Sequence, residues 1–231
     1  MPAGIQVINT AGTITIDENY QNLALRASGG MYFTENGSQT ATFNYGLSLR
    51  KPLCALRVTG APAGVASCWT FNGTTNVKIT GIAGASVTWY VFDVPYAVSN
   101  AGLQIFRGDG TLCFDSGNKY ARVVDYWTAS QLNQWENATR YYTDGRVYAS
   151  AFLSTAERKQ VKFTSNLCGN SRYRQDITWY RQMCQITSGT NNTTYSFPAW
   201  RADGGYGDCE VLAGSWSKYS TAIAMLDVTG Y

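Results

Sequence analysis

Acid–base and nucleophilic chemistry near neutral pH usually runs through histidine, and this 231-residue sequence contains none. That removes Ser-His-Asp and Cys-His constellations together with histidine zinc sites. A phosphate-cradling loop is also missing. The nearest glycine-rich stretch, Asp203-Gly204-Gly205-Tyr206-Gly207-Asp208, is not followed by Lys-Ser/Thr. Carboxylate chemistry survives, because glycoside hydrolysis needs two acids and no histidine. The acids in question are Asp203, Asp208 and Glu210, with Asp144 and Glu157 elsewhere. Acids beside glycines read first as turn residues, since Asp accepts local backbone hydrogen bonds. The same acidic stretch lacks the regular ligand spacing of a calcium loop. A glycan-degrading enzyme is therefore the weakest reading. The chain is expected to be no enzyme, with no catalytic residues, no cofactor and no metal.

The remaining chemistry-bearing side chains are thiols and aromatics. Cys54, Cys68, Cys113, Cys168, Cys184 and Cys209 form no CxxC or other short ligand pair. Buried free thiols are the first expectation, and a bridge such as Cys168 with Cys184 the alternative. Trp200, Tyr206 and Trp216 fall in a stretch, 164–217, rich in Asn, Gly, Ser, Tyr and Trp. Read as loop aromatics, they are the candidate contacts to a ligand or receptor, a sugar ring or another protein. The competing reading makes them core residues of a β-domain with large side chains. Arg172, Arg174 and Arg181 interleave with Tyr173, Trp179 and Tyr180, a pattern able to hold single-stranded nucleic acid. With a net charge of +3 and no basic run, polar strand faces are the better account, and no nucleic-acid partner is expected.

The elements carrying these residues are expected to be strands. Charged residues make up 14% of the chain, against roughly 25% in an average globular domain. The 16 Tyr and 7 Trp suit pleated strands and the 23 Gly suit turns between them. The most informative pattern is an internal repeat. Residues 4–17 read GIQVINTAGTITID and residues 102–115 read GLQIFRGDGTLCFD. Gly4, Gln6, Gly12, Thr13 and Asp17 recur, without a gap, as Gly102, Gln104, Gly110, Thr111 and Asp115. Apolar residues at period two on either side of Asp109-Gly110 predict a β-hairpin. A third strand is expected after each hairpin, at Asn22–Arg26 and Tyr120–Val124, to give a three-stranded meander. Both halves also end alike. Val91-Phe92-Asp93-Val94-Pro95-Tyr96 and Met225-Leu226-Asp227-Val228-Thr229-Gly230-Tyr231 each run an apolar strand into Asp-Val, a turn and a Tyr.

Two related β-sandwich-like domains, 1–98 and 99–231, follow from this repeat, the second enlarged by loops. Tyr32, Phe33, Phe43, Tyr45, Leu47 and Leu49 alternate as strand residues in the first domain until Pro52 and Pro62 interrupt. Val77, Ile79 and Ile82 give a further strand. In the second domain Ser154-Thr155-Ala156-Glu157 is a capping-box pattern and reads as the start of one short helix to about Gln160. Gly189–Thr194 reads as a hairpin tip. No stretch approaches the roughly 18 apolar residues of a membrane span. Met1-Pro2-Ala3-Gly4 leads into a strand without a leader-like apolar run, so a cytoplasmic start is expected.

The opening, Met1 to Val7 with Gly12 and Ile16-Asp17, resembles the N-terminus of small tail proteins from long-tailed bacteriophages. The second copy, Gly102–Phe106 through Asp109-Gly110 to Phe114-Asp115 and Lys119–Val123, resembles the repeated module of those proteins. The resemblance covers about fifty residues of the chain and carries over no catalytic residue. It implies a virion structural protein of the distal tail, at the tail tip, baseplate or a fibre. Assembly would occur in the bacterial host cytoplasm. Its partners would be other tail proteins and copies of itself, with no membrane insertion. On that reading the first domain anchors the chain and the second faces outward, where its aromatics meet a host glycan or receptor.

Overall fold

A computed structural model describes residues 6–8, 14–17, 22–44, 52–72, 74–98, 102–129, 138–142, 145–154, 157–168, 172–188, 193–197, 199–210, 216–218 and 221–231. Every regular element among them is a β-strand, and nearly all pairing is antiparallel. The all-β, sandwich-like class expected from alternation and composition is the class observed.

The central feature is a ring of strands. Ala24–Tyr32 pairs with Ala85–Asp93, which pairs with Leu53–Gly60. Leu53–Gly60 pairs with Tyr148–Ser154 through Ala55↔Ala151 and Leu56↔Ser150. Tyr148–Ser154 pairs with Thr221–Asp227, and that strand with Arg122–Ala129. An antiparallel bridge between Ala24 and Tyr120 returns the sheet to its first strand. Hydrogen bonds from Leu25 N to Lys119 O (2.7 Å) and from Ala121 N to Leu23 O (2.8 Å) flank this bridge.

Alternation along these strands divides their residues between two cores. Ala55, Tyr90, Phe92, Ala149, Ala151, Ala224, Leu226 and Val228 are buried together, with half-buried Leu23, Leu25 and Ala121 packed against them, so five ring strands and the residue preceding Arg122–Ala129 meet in this inner cluster. Eight strands leave an interior just wide enough for side chains, and a smaller ring leaves less. The four buried alanines, Ala55, Ala149, Ala151 and Ala224, fit that limit. The intervening residues Cys54, Leu56, Val58, Val87, Val91, Ile223 and Met225 face the other way, against Phe33, Val77 and Ile79. This second core lies between the ring wall and a three-stranded sheet of Gly37–Asn44, Thr74–Gly81 and Ala63–Phe71.

The two halves of the ring repeat each other in register. In the first, Ala24 faces Asp93 and Leu25 faces Phe92; the ladder then skips Arg26 and resumes at Ala27↔Val91. In the second, Arg122 faces Asp227 and Val123 faces Leu226; the ladder skips Val124 and resumes at Asp125↔Met225. The hairpins match as well. Gln6↔Asp17 and Val7↔Ile16 correspond to Gln104↔Asp115 and Ile105↔Phe114, with an irregularity at the same step. The Asp109-Gly110 turn forms as expected. Gly110 N donates to Arg107 O (2.9 Å), and Gly110 takes the left-handed φ of 81° that closes such a loop.

Several expectations are corrected. The strand after each hairpin does not extend a meander: each hairpin is a separate two-stranded sheet, and the next strand joins the ring. A ladder along Ala85–Asp93 or Thr221–Asp227 offers more backbone partners than a hairpin strand of three or four residues. The stretches 1–98 and 99–231 each supply three strands to one hydrogen-bonded ring. No helix starts at Ser154-Thr155-Ala156-Glu157; Glu157 opens the strand Glu157–Cys168. Here pairing with Arg172–Gln182 on one side and Trp216–Lys218 on the other satisfies the backbone, overriding a local cap. Gln185–Ser188 and Thr193–Phe197 flank the expected tip and pair antiparallel as far as Ser188↔Thr193, while residues 189–192 lie outside the described residues. Tyr45, Leu47 and Leu49 lie outside the described residues.

Candidate functional site

The strand Arg122–Ala129 is one of the described strands that a partner could reach. Among the described strands it pairs on one side only, with Thr221–Asp227. Beyond the Ala24–Tyr120 bridge its other edge has no described strand beside it. Such an edge presents unpaired N–H and C=O groups to any second chain. Charges commonly blunt exposed edges, yet this one carries apolar and aromatic residues. Val123 is 58% exposed, Tyr126 55% and Val124 44%. Leu103 and Phe106 of the preceding hairpin are also exposed. The skipped residue Val124 adds a bulge, which increases local twist and turns the strand as it leaves the ring.

Buried carboxylates hold this strand in place. Asp227, which faces Arg122 in the ladder, is 3% exposed. It accepts from Arg146 Nη1 at 3.2 Å, Arg122 Nη2 at 3.4 Å and Thr229 N at 2.9 Å. Burial pushes its carboxyl up, but the Thr229 backbone and hydroxyl with the two guanidinium charges outweigh it and hold the group below the ordinary aspartate value. Arg122 also lies over the Tyr231 ring, 5.1 Å from its centroid, and the Tyr231 hydroxyl donates to Tyr120 O. Farther along, Asp125 accepts from the Tyr142 hydroxyl at 2.9 Å and pairs with Arg140 at 3.6 Å. Burial, with the Asp125 carboxylate it donates to, pushes the Tyr142 phenol well up.

Asp115 anchors the hairpin in the same way. It is fully buried and accepts from Gln104 Nε2 (2.8 Å), Gly117 N (2.7 Å) and Val98 N (3.2 Å). Tyr120 closes the corner, accepting from Asp115 N at 2.6 Å and donating to Asp115 O at 3.0 Å. The Gln and Asp that recur between hairpins are therefore cross-strand partners, a structural explanation for the motif.

The residues singled out in sequence are placed differently from expectation. Trp200 and Tyr206 lie within the strand Ala199–Glu210, and Trp216 begins Trp216–Lys218, so none lies in a loop. Pairing on both sides of Arg172–Gln182 converts the polar, glycine-rich stretch into long strands. The register brings Ala202, Trp179, Lys159 and Trp216 into one row across that sheet. Trp200, Arg181, Glu157 and Lys218 form another row, two positions along each strand. Tyr206 falls where the ladder is irregular, between Gly204↔Ile177 and Gly207↔Gln175. Asp203, Asp208 and Glu210 are strand residues rather than a turn cluster, with Asp203 facing Thr178 and Glu210 facing Tyr173. Asp144 lies outside the described residues. Among the described residues no group of three His, Cys, Asp or Glu is placed to hold a metal ion, and no helix is long and apolar enough to cross a membrane.

Sequence reasoning missed the Val123, Val124 and Tyr126 edge. The only available signal was a strand carrying apolar residues without strict alternation. No family model, curated protein or solved structure matches this chain.

Proposed function

We propose that this chain is a non-enzymatic structural component of a bacteriophage distal tail, packing against copies of itself and other tail proteins in the virion. The one-sided Arg122–Ala129 strand, exposing Val123, Val124 and Tyr126, is the observation that carries the assembly role. A symmetric oligomer satisfies such an edge by pairing it with a neighbouring subunit. The tail assignment rests on the likeness of the hairpin motif to tail proteins, and assembly would take place in the host cytoplasm. Light scattering of the purified protein should show an oligomer. Val123→Lys with Tyr126→Lys should convert it to monomer while changing stability by only about 0.5 kcal/mol, as expected for surface positions. A wild-type protein that stays monomeric at high concentration would overturn self-packing. Absence of the chain from purified particles by mass spectrometry would overturn the virion role.

The second reading is a carbohydrate- or receptor-binding module. It is favoured by the register of the four-stranded sheet, which sets Trp179 and Trp216 in one row and Trp200 two positions along, aromatic residues of the kind that stack on sugar rings. Glycan-array binding lost on Trp200→Ala and Trp216→Ala, with folding intact, would establish it; wild-type binding to no glycan would remove it.

A further inference from the structure

Cys54 and Cys68 sit on different sheets and meet across the outer core. Cys54 is on the ring strand Leu53–Gly60, on the face turned toward the three-stranded sheet, and Cys68 lies on Ala63–Phe71 of that sheet. Both thiols are free, and Cys68 packs against the core cluster that contains Cys54. Beside them is a cavity of about 270 Å³, lined by Pro52, Val65, Ser67, Phe152 and Leu153 as well as by the two cysteines. Ser67 and Leu153 are exposed at its rim, while Cys54 is buried and Cys68 half-buried. One sulfur is therefore close to solvent and the other directly behind it.

We propose that Cys54 and Cys68 are a modification site for small disulfides, which enter this cavity and leave the pair joined as a disulfide. The Cys68 thiolate attacks one sulfur of the reagent; the reagent's S–S bond breaks and its other half departs as a thiolate that takes up a proton. Cys54 then gives up its proton and attacks the Cys68 sulfur of the mixed disulfide, expelling the second half. The protein loses two protons and two electrons, and one disulfide molecule becomes two thiols. The order follows from the site. Interaction with Cys54 holds the Cys68 thiol below the ordinary range, whereas that same interaction and burial push Cys54 up. Of the other thiols with described side chains, Cys113 is buried with its sulfur toward Thr111 O (3.7 Å). Cys184 is buried toward Ala63 O (3.4 Å) and pushed up to about 12, chiefly by burial.

The product ties the ring wall to the sheet packed on it. The test uses the folded full chain and oxidised glutathione as reagent, with acid quenching, alkylation and peptide mass spectrometry. Cleavage at Arg57 puts the two cysteines on separate peptides. Wild type should yield the Cys54–Cys68 cross-linked peptides and lose both thiols. Cys54→Ser should stop at a glutathione adduct on Cys68, and Cys68→Ser should leave Cys54 unmodified. Near-ultraviolet circular dichroism establishes that each variant is folded. The proposal is overturned if folded wild type gives no cross-link, if Cys68 stays unmodified in folded Cys54→Ser, or if the cross-link appears only in urea.

Discussion

The two halves of the ring have one register and different surroundings. Ala24–Tyr32, Ala85–Asp93 and Leu53–Gly60 correspond to Arg122–Ala129, Thr221–Asp227 and Tyr148–Ser154, with the skipped residue at the same step. In the first half the chain between Ala24–Tyr32 and Ala85–Asp93 supplies the three-stranded sheet that covers the wall. In the second half the leading strand keeps exposed apolar residues along its open edge. Backbone register thus sets the frame, and the chain inserted between frame strands sets whether a surface is covered or left for a partner. One-sided strands occur in both halves, Ala63–Phe71 in the first and Arg122–Ala129 in the second.

Changes at matched positions can break this comparison. Phe92 and Leu226 occupy corresponding places in the ladder, and both are fully buried in the inner core. Phe92→Ala should cost about 3–5 kcal/mol and Leu226→Ala about 2–5 kcal/mol in urea unfolding. Because one core joins the halves, each variant should unfold in a single transition by fluorescence and circular dichroism alike. Separate transitions would mean that the halves are independent units.

The carboxylates that end the two frame strands sharpen it further. Asp227→Asn should cost about 1.5–3 kcal/mol at pH 7, from lost charged hydrogen bonds. Its folded-state value lies below the ordinary 3.8, so its contribution is complete above that pH and fades as pH falls through the lowered value. The stability gap between wild type and Asp227→Asn should therefore narrow in acid below about pH 3.8. A gap that is constant from pH 7 to pH 2.5 would show that the charge contributes nothing.

A smaller effect should mark the covered half. A Cβ at Gly81 would lie 2.7 Å from the Phe33 ring, within the outer core. Gly81→Ala should cost about 1–3 kcal/mol by overpacking and leave oligomer size unchanged. Loss of the oligomer in this variant would place the partner-facing surface on the wrong half.

Part of this architecture was legible beforehand. Leu103, Ile105, Leu112 and Phe114 around Asp109-Gly110 identified a hairpin because hairpin turns are encoded in adjacent residues. The Asp-Val endings fall at similar places in the ladders, with Asp93 facing Ala24 and Asp227 facing Arg122. The helix at Glu157 and the loop placement of Trp200, Tyr206 and Trp216 failed for a common reason. Polar, glycine-rich strands look like loops until neighbours on both sides satisfy their backbones.

The sequence by itself determined an all-β chain with no histidine chemistry, two matching hairpins and two matching strand ends. All of these follow from residue identity or from contacts close along the chain. The tertiary structure alone decided that the halves share a ring, that Cys54 meets Cys68, and that Val123 and Tyr126 stand on an open edge. Alternation states which face of a strand is apolar, but not which distant strand lies beside it. That choice belongs to long-range backbone pairing and to the fit of Phe92 and Leu226 among small alanines.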